Sequence, residues 1–201
     1  MLQSFTAALL LITVSELGDK TFFIAVILSM RYSRQLVFAG VAVALVIMTL
    51  ISVIAGQAAA LLPQAYIFYA EIALFIFFGV KLLYEASRMP PKANREATTA
   101  VVEVESKSTS KKTKLAICLE AFVLTFLAEW GDRTQIATLV LAASGNVYGV
   151  SAGAILGHAT CTGIAVIGGR LLAGRISERL MTGLGGLLFL IFATVAWVKG
   201  P

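Results

Sequence analysis

Two six-residue stretches decide the fold: Glu16-Leu17-Gly18-Asp19-Lys20-Thr21 and Glu129-Trp130-Gly131-Asp132-Arg133-Thr134. Sliding the chain on itself by the 113 residues that separate Glu16 from Glu129 pairs Glu16 with Glu129, Gly18 with Gly131, Asp19 with Asp132 and Thr21 with Thr134, without a gap. The same offset pairs Gly40 with Gly153, Thr49 with Thr162, Ile51 with Ile164, Ile54 with Ile167 and Gly56 with Gly169. Chance supplies apolar coincidences, but not four glycine or polar identities within six positions. The chain reads as an internal duplication.

Both copies of the motif are embedded in apolar sequence. Of 201 residues, 59% are hydrophobic and 13% charged, against about 45–50% and about 25% in soluble domains. Apolar runs cover residues 5–29, 36–62, 66–86, 115–143, 147–172 and 180–199, and each supplies the roughly 20 residues that one helical crossing needs. Lipid offers no partner to unpaired backbone, and the runs lack the alternation of a barrel strand. The expected class is therefore an all-α integral membrane protein with six transmembrane helices. Three spans per copy is an odd number, so the second copy enters the bilayer from the opposite side, giving two inverted three-helix repeats over residues 1–86 and 115–201. The first run lacks a positive N-terminal flank and is interrupted by Glu16, Asp19 and Lys20, so it reads as a retained span rather than a cleaved leader.

Residues 87–114 contain seven Lys or Arg, three Glu and no aromatic residue, a composition that cannot bury a core. They read as a solvated basic linker that carries most of the net charge of +5, with no nucleic-acid partner implied. Arg31 and Arg34 follow span one, the linker follows span three, and Arg170, Arg175 and Arg179 follow span five, with only Lys199 opposite them. Basic loops stay cytoplasmic, so the linker is expected inside and both termini outside. Cys118, Cys161 and a single histidine make neither a disulfide scaffold nor a Cys/His metal cluster. Little chain remains for a catalytic domain, and neither an enzymatic activity nor a resident cofactor is expected.

The chemistry lies in the motifs. Glu and Asp three residues apart share one helix face, and both motifs fall near the middle of their spans. An ionised side chain at that depth costs about 2.5–3.5 kcal/mol on the insertion scale. Six of them (Glu16, Asp19, Lys20, Glu129, Asp132 and Arg133) would together cost roughly 15–20 kcal/mol if isolated, more than a typical fold's net stability. They must be paired, protonated or bound to an ion. Four carboxylates and two cations leave −2, the charge that one divalent cation or two protons would neutralise. The donors are oxygens: the carboxylates, the hydroxyls of Thr21, Thr134 and Ser15, and the amide of Gln135. Such a set suits Ca²⁺, Mn²⁺ or Mg²⁺. Gly18 and Gly131 allow close backbone approach or an opened helix, and Lys20 and Arg133 are candidate counter-ions that take over the carboxylates when the metal leaves. The plainer reading, buried ion pairs that only hold the bundle together, is disfavoured because apolar packing does the same at lower cost.

The doubled E-x-G-D-[KR]-T motif, the charged linker between three-span halves and the chain length resemble the Gdt-type family of cation/proton exchangers for calcium and manganese. The resemblance spans the whole chain and implies metal-site acids at Glu16, Asp19, Glu129 and Asp132. Trp130 in the second motif resembles the photosynthetic branch of manganese exporters, which makes Mn²⁺ the preferred substrate, Ca²⁺ the second, and a plasma or thylakoid-type membrane the expected location.

Other features carry two readings each. Gly149, Gly153 and Gly157 form a close-packing face or a sliding surface. His158 is a proton relay or a satisfied buried histidine, and its repeat partner Leu45 speaks against an indispensable role. Glu71 and Glu120 line access paths or snorkel to the interface, while Lys81 and Glu85 read as a local surface pair. An intramembrane aspartyl protease, suggested by L-G-D and W-G-D, fails because Glu stands two before each Gly. An exporter of small organic cations or amino acids needs a less anionic site, and a passive channel would be obstructed by Lys20 and Arg133.

Overall fold

The computed structural model describes residues 1–89, 113–172 and 177–200, and all regular structure among them is helical. The helices are α1 (Leu2–Glu16), α2 (Lys20–Arg31), α3 (Arg34–Ala59), α4 (Gln64–Arg88), α5 (Lys114–Glu129), α6 (Arg133–Ser144), α7 (Val147–Leu172) and α8 (Glu178–Lys199). Most of the expected linker, residues 90–112, lies outside the described residues, as do 173–176. Among the described residues, four helices are long and apolar enough to cross a bilayer: Arg34–Ala59, Gln64–Arg88, Val147–Gly168 and Arg179–Lys199. The protein is a multi-pass membrane protein.

The expected spans over 5–29 and 115–143 are not single helices. Each is broken inside its motif, so Glu16 ends α1 while Asp19 is the N-cap of α2, and Glu129 ends α5 while Asp132 caps α6. The expectation that Glu and Asp share one continuous helix face is therefore wrong in both copies. The cause is the intervening glycine. Leu17 and Trp130 leave the helix with ψ near 112° and 113°, and Gly18 and Gly131 follow with φ of 82° and 79°. Side chains bearing a Cβ rarely adopt that region, whereas glycine does so freely. The same backbone solution appears twice.

The helix bounds repeat as the motifs do, α2 with α6 and α3 with α7 at the 113-residue offset. Packing exchanges the halves: α1 lies on α7 and α5 on α3, α2 meets α7 and α6 meets α3, and α4 runs along α8. Glycine allows the first of these contacts. A Cβ on Gly153 would strike the carbonyl oxygen of Phe5, and one on Gly40 would strike that of Cys118. Phe5 and Cys118 are themselves 113 residues apart, so the same helix contact is built once in each direction. Gly149, Gly153 and Gly157 form a close-packing face against α1. Two contacts break the symmetry. The α4–α8 pair touches α6 and α1 without counterparts of similar extent on α2 and α5.

Two apolar clusters flank the breaks, one around Phe22, Ile24, Leu28, Val41 and Leu124, the other around Leu11, Phe75, Phe78, Leu141 and Phe189. The outward faces are apolar too, with Ile54 69% and Ile167 73% exposed. That is a liability in water and the expected surface against lipid.

Candidate metal centre

The two breaks face each other across the centre of the molecule. Glu16 and Glu129, the last residues of α1 and α5, are 2% and 3% exposed, and Asp19 begins the turn into α2. One carboxylate oxygen from each of Glu16, Asp19 and Glu129 lies within 4.8 Å of the other two. Ligands on opposite sides of a hard divalent cation, at roughly 2.0–2.6 Å each, stand about 4–5 Å apart. The group thus has the spacing of a cation site, and both halves contribute to it.

Each glutamate is half committed. Thr21 Oγ1 donates to Glu16 Oε2 at 3.1 Å, and Thr134 Oγ1 donates to Glu129 Oε2 at 3.3 Å. The other oxygen of each, Oε1, is buried with no hydrogen-bond partner, a costly arrangement for an acceptor unless something else satisfies it. The threonines therefore hold one oxygen of each acid and leave the other without a partner. Ser15 Oγ, also buried beside the break, has no partner either.

The four motif acids do not play equal parts. Asp132 is outside the three-oxygen group. Its Oδ2 caps α6, accepting from Thr134 N at 3.3 Å, and lies 3.1 Å from Thr134 Oγ1, whose single proton it shares with Glu129. Asp19 is held instead by an arginine from the other half: Arg133 Nη2 donates to Asp19 Oδ1 at 2.6 Å and to the Ser15 carbonyl at 3.3 Å. Gln135 uses its Oε1 to accept from Gly131 N at 2.7 Å, so it braces the break. Lys20 is the first residue of α2.

The remaining candidates lie around this centre. Glu71 lines a cavity of about 620 Å³ together with Gln3, Ser144, Lys199, Phe75, Leu141 and Phe192. Glu120 sits on α5 nine residues before Glu129, about 13 Å away along the axis. His158 is buried on α7 and lines a small cavity with Glu16.

Sequence reasoning missed Glu85. Its pairing with Lys81 at 3.8 Å is indeed local and exposed, but Glu85 also lines a narrow crevice with Asp19, Arg133, Ser15, Met89 and Met181. The signal was available in the spacing, because Glu85 continues the buried face of Phe75, Phe78 and Leu82 along α4.

The family model described as "Divalent cation/proton antiporter GDT1" matches residues 4–90 and 117–201. A GDT1-like protein of Synechocystis sp. is 58% identical over 201 residues, covering 98% of both chains. GDT1-like protein 3 of Oryza sativa subsp. indica is 42% identical over 97% of this chain and 74% of its own. The chloroplastic PAM71-homolog of Arabidopsis thaliana is 41% identical over 97% of this chain and 59% of its own. No solved structure matches.

Proposed function

The chain belongs to the GDT1 family of divalent cation/proton antiporters, a transporter family rather than an enzyme family, and from that premise we propose that it exports Mn²⁺, and Ca²⁺ with lower preference, from the cytoplasm in exchange for protons. The observation that carries this reading is the meeting of Glu16, Asp19 and Glu129 oxygens from both halves within 4.8 Å, with a partnerless oxygen on each glutamate. A neutral organic solute would not call for such a site. The relatedness to a chloroplastic protein supports a plasma or thylakoid-type membrane, and the preference for Mn²⁺ rests on the resemblance carried by Trp130 in the second motif.

In this reading there are six crossings in two inverted halves, α3, α4, α7 and α8 continuous and α1–α2 and α5–α6 discontinuous. Discontinuous helices at the bilayer midplane supply exposed backbone and helix ends to ions. Both termini are extracytoplasmic and the basic linker is cytoplasmic. The crevice beside Glu85 and Met89 then approaches Asp19 from the cytoplasm, and the cavity lined by Glu71, Phe75 and Leu141 opens to the other side. Arg133 is the internal counter-ion: it occupies Asp19 and must release it for a cation to be bound. Because α4 and α8 lean more on α1 and α6 than on α2 and α5, the halves exchange roles when that pair rocks across. Asp132 then joins the glutamates and Lys20 takes the part of Arg133.

Transport into proteoliposomes tests the reading: Mn²⁺ is expected to move against its gradient when a pH difference is imposed, Ca²⁺ more slowly and Mg²⁺ least. No movement of any of the three would sink it. For orientation, a cysteine at Ser108, in a background without Cys118 and Cys161, should react only with reagent on the cytoplasmic side. Labelling from outside would reverse the assignment.

A further inference from the structure

Beside the carboxylates, α7 places one nitrogen donor. His158 is 6% exposed, and its ring lines a cavity with Glu16, Thr21, Leu45 and Cys161. The cavity has about 10 Å³ of room, about what one water molecule or one bare cation takes. Two of the residues lining it each carry a buried polar atom with no hydrogen-bond partner, His158 Nδ1 and Glu16 Oε1. A buried polar atom without a partner costs about 1–3 kcal/mol, and a histidine kept for packing alone normally has its ring nitrogens satisfied.

We infer that His158 is a metal ligand: with Glu16 and Thr21 it forms a nitrogen-bearing subsite, sharing Glu16 with the three-carboxylate group, that selects a divalent cation of the first transition series over Ca²⁺ and Mg²⁺. The inference rests on the antiporter reading above. Carboxylates and hydroxyls alone serve Mg²⁺, Ca²⁺ and Mn²⁺ alike, whereas imidazole is a ligand for transition-series ions and a poor one for the two hard cations. The cysteine is a wall of the subsite, since Cys161 Sγ donates to the Thr13 carbonyl at 3.3 Å.

The duplication sharpens the argument. Motif acids and threonines are matched between the halves, but the counterpart of His158 is Leu45 and that of Cys161 is Met48. The metal site is symmetric in oxygen and asymmetric in nitrogen. A ligand serving selectivity is needed once, at whichever face of the site both conformations share, while ligands that alternate are needed twice.

The chain has one histidine, so the test needs no mutation. Full-length protein without a polyhistidine tag, in lipid nanodiscs and loaded with Mn²⁺, should show a directly bound nitrogen in pulsed electron paramagnetic resonance. Labelling histidine alone with ¹⁵N should convert that ¹⁴N coupling to ¹⁵N. In His158→Leu, which copies the residue at the equivalent position, the coupling should vanish and the preference for Mn²⁺ over Ca²⁺ in competition binding should fall about tenfold, and His158→Gln should behave alike. Bound Mn²⁺ with no histidine nitrogen, as when a water bridges the ring, overturns the inference and leaves the antiporter reading intact. Failure of Mn²⁺ to bind at all overturns both.

Discussion

Glu16→Gln, Glu129→Gln and Asp19→Asn should each lower Mn²⁺ transport by on the order of 100-fold or more while leaving the protein folded in the membrane. Each substitution keeps the volume and shape of the side chain and removes one unit of negative charge from a group whose oxygens lie within 4.8 Å. At an effective dielectric near 20, a pair of unit charges about 4 Å apart is worth about 4 kcal/mol. A divalent ion feels twice that, and tenfold in affinity corresponds to about 1.4 kcal/mol, so even heavy screening leaves a loss of two decades. Asp132→Asn separates the two facing states. Asn caps a helix as well as Asp does, and Asp132 is outside the three-oxygen group, so the purified variant should still bind Mn²⁺ yet fail to turn over. Uptake rates in proteoliposomes, set beside equilibrium binding and membrane-inserted protein levels, check all four. Normal uptake by any of the first three would remove that acid from the site, and normal uptake by Asp132→Asn would end the exchange of roles.

The helical class and the repeated helix bounds were legible because the duplication is written in residues that drift does not preserve by accident. Once Glu16 and Asp19 recur at Glu129 and Asp132, the helix bounds of one half predict those of the other. The break was harder to read. Glycine between two acids permits either a tight helix contact or an opened helix, and the sequence offers no means of choosing. Only the positive φ of Gly18 and Gly131 shows that the helix opens, and it overturns the shared-face argument while bringing the acids of both halves together. The choice made by Arg133 was equally hidden. Asp132 is the extended N-cap of α6 and turns its carboxylate onto Thr134, while Arg133, the first helical residue, reaches across to Asp19. Gln135 looked like a ligand because its amide oxygen is one, but a backbone N–H exposed by the break claims it first.

The second large effect concerns coupling. Four motif carboxylates and two basic residues leave a charge of −2 that must cross a low-dielectric barrier on the return step. One divalent cation neutralises it, and so do two protons. If metal and protons compete for the same oxygens, the exchange is electroneutral, two protons for each ion. Protonated carboxyls are poor ligands, so metal affinity falls as pH falls through the range in which they take up protons. Per pH unit within that range, the dissociation constant for Mn²⁺ should rise by up to about 100-fold, the mark of two linked protons. The same stoichiometry fixes the gradient the protein can sustain. With voltage clamped at zero by valinomycin and equal potassium, a difference of one pH unit should hold a Mn²⁺ ratio of about 100, and an added potential of 100 mV should not shift it, although it would be worth about 2.3 kcal/mol for each net charge moved. A ratio near 10 would mean one proton per ion and a net charge transferred. If potential alone drives Mn²⁺ and the pH difference does nothing, the carboxylates form a pore lining rather than an exchange site, and Arg133 must then be displaced permanently rather than once per cycle.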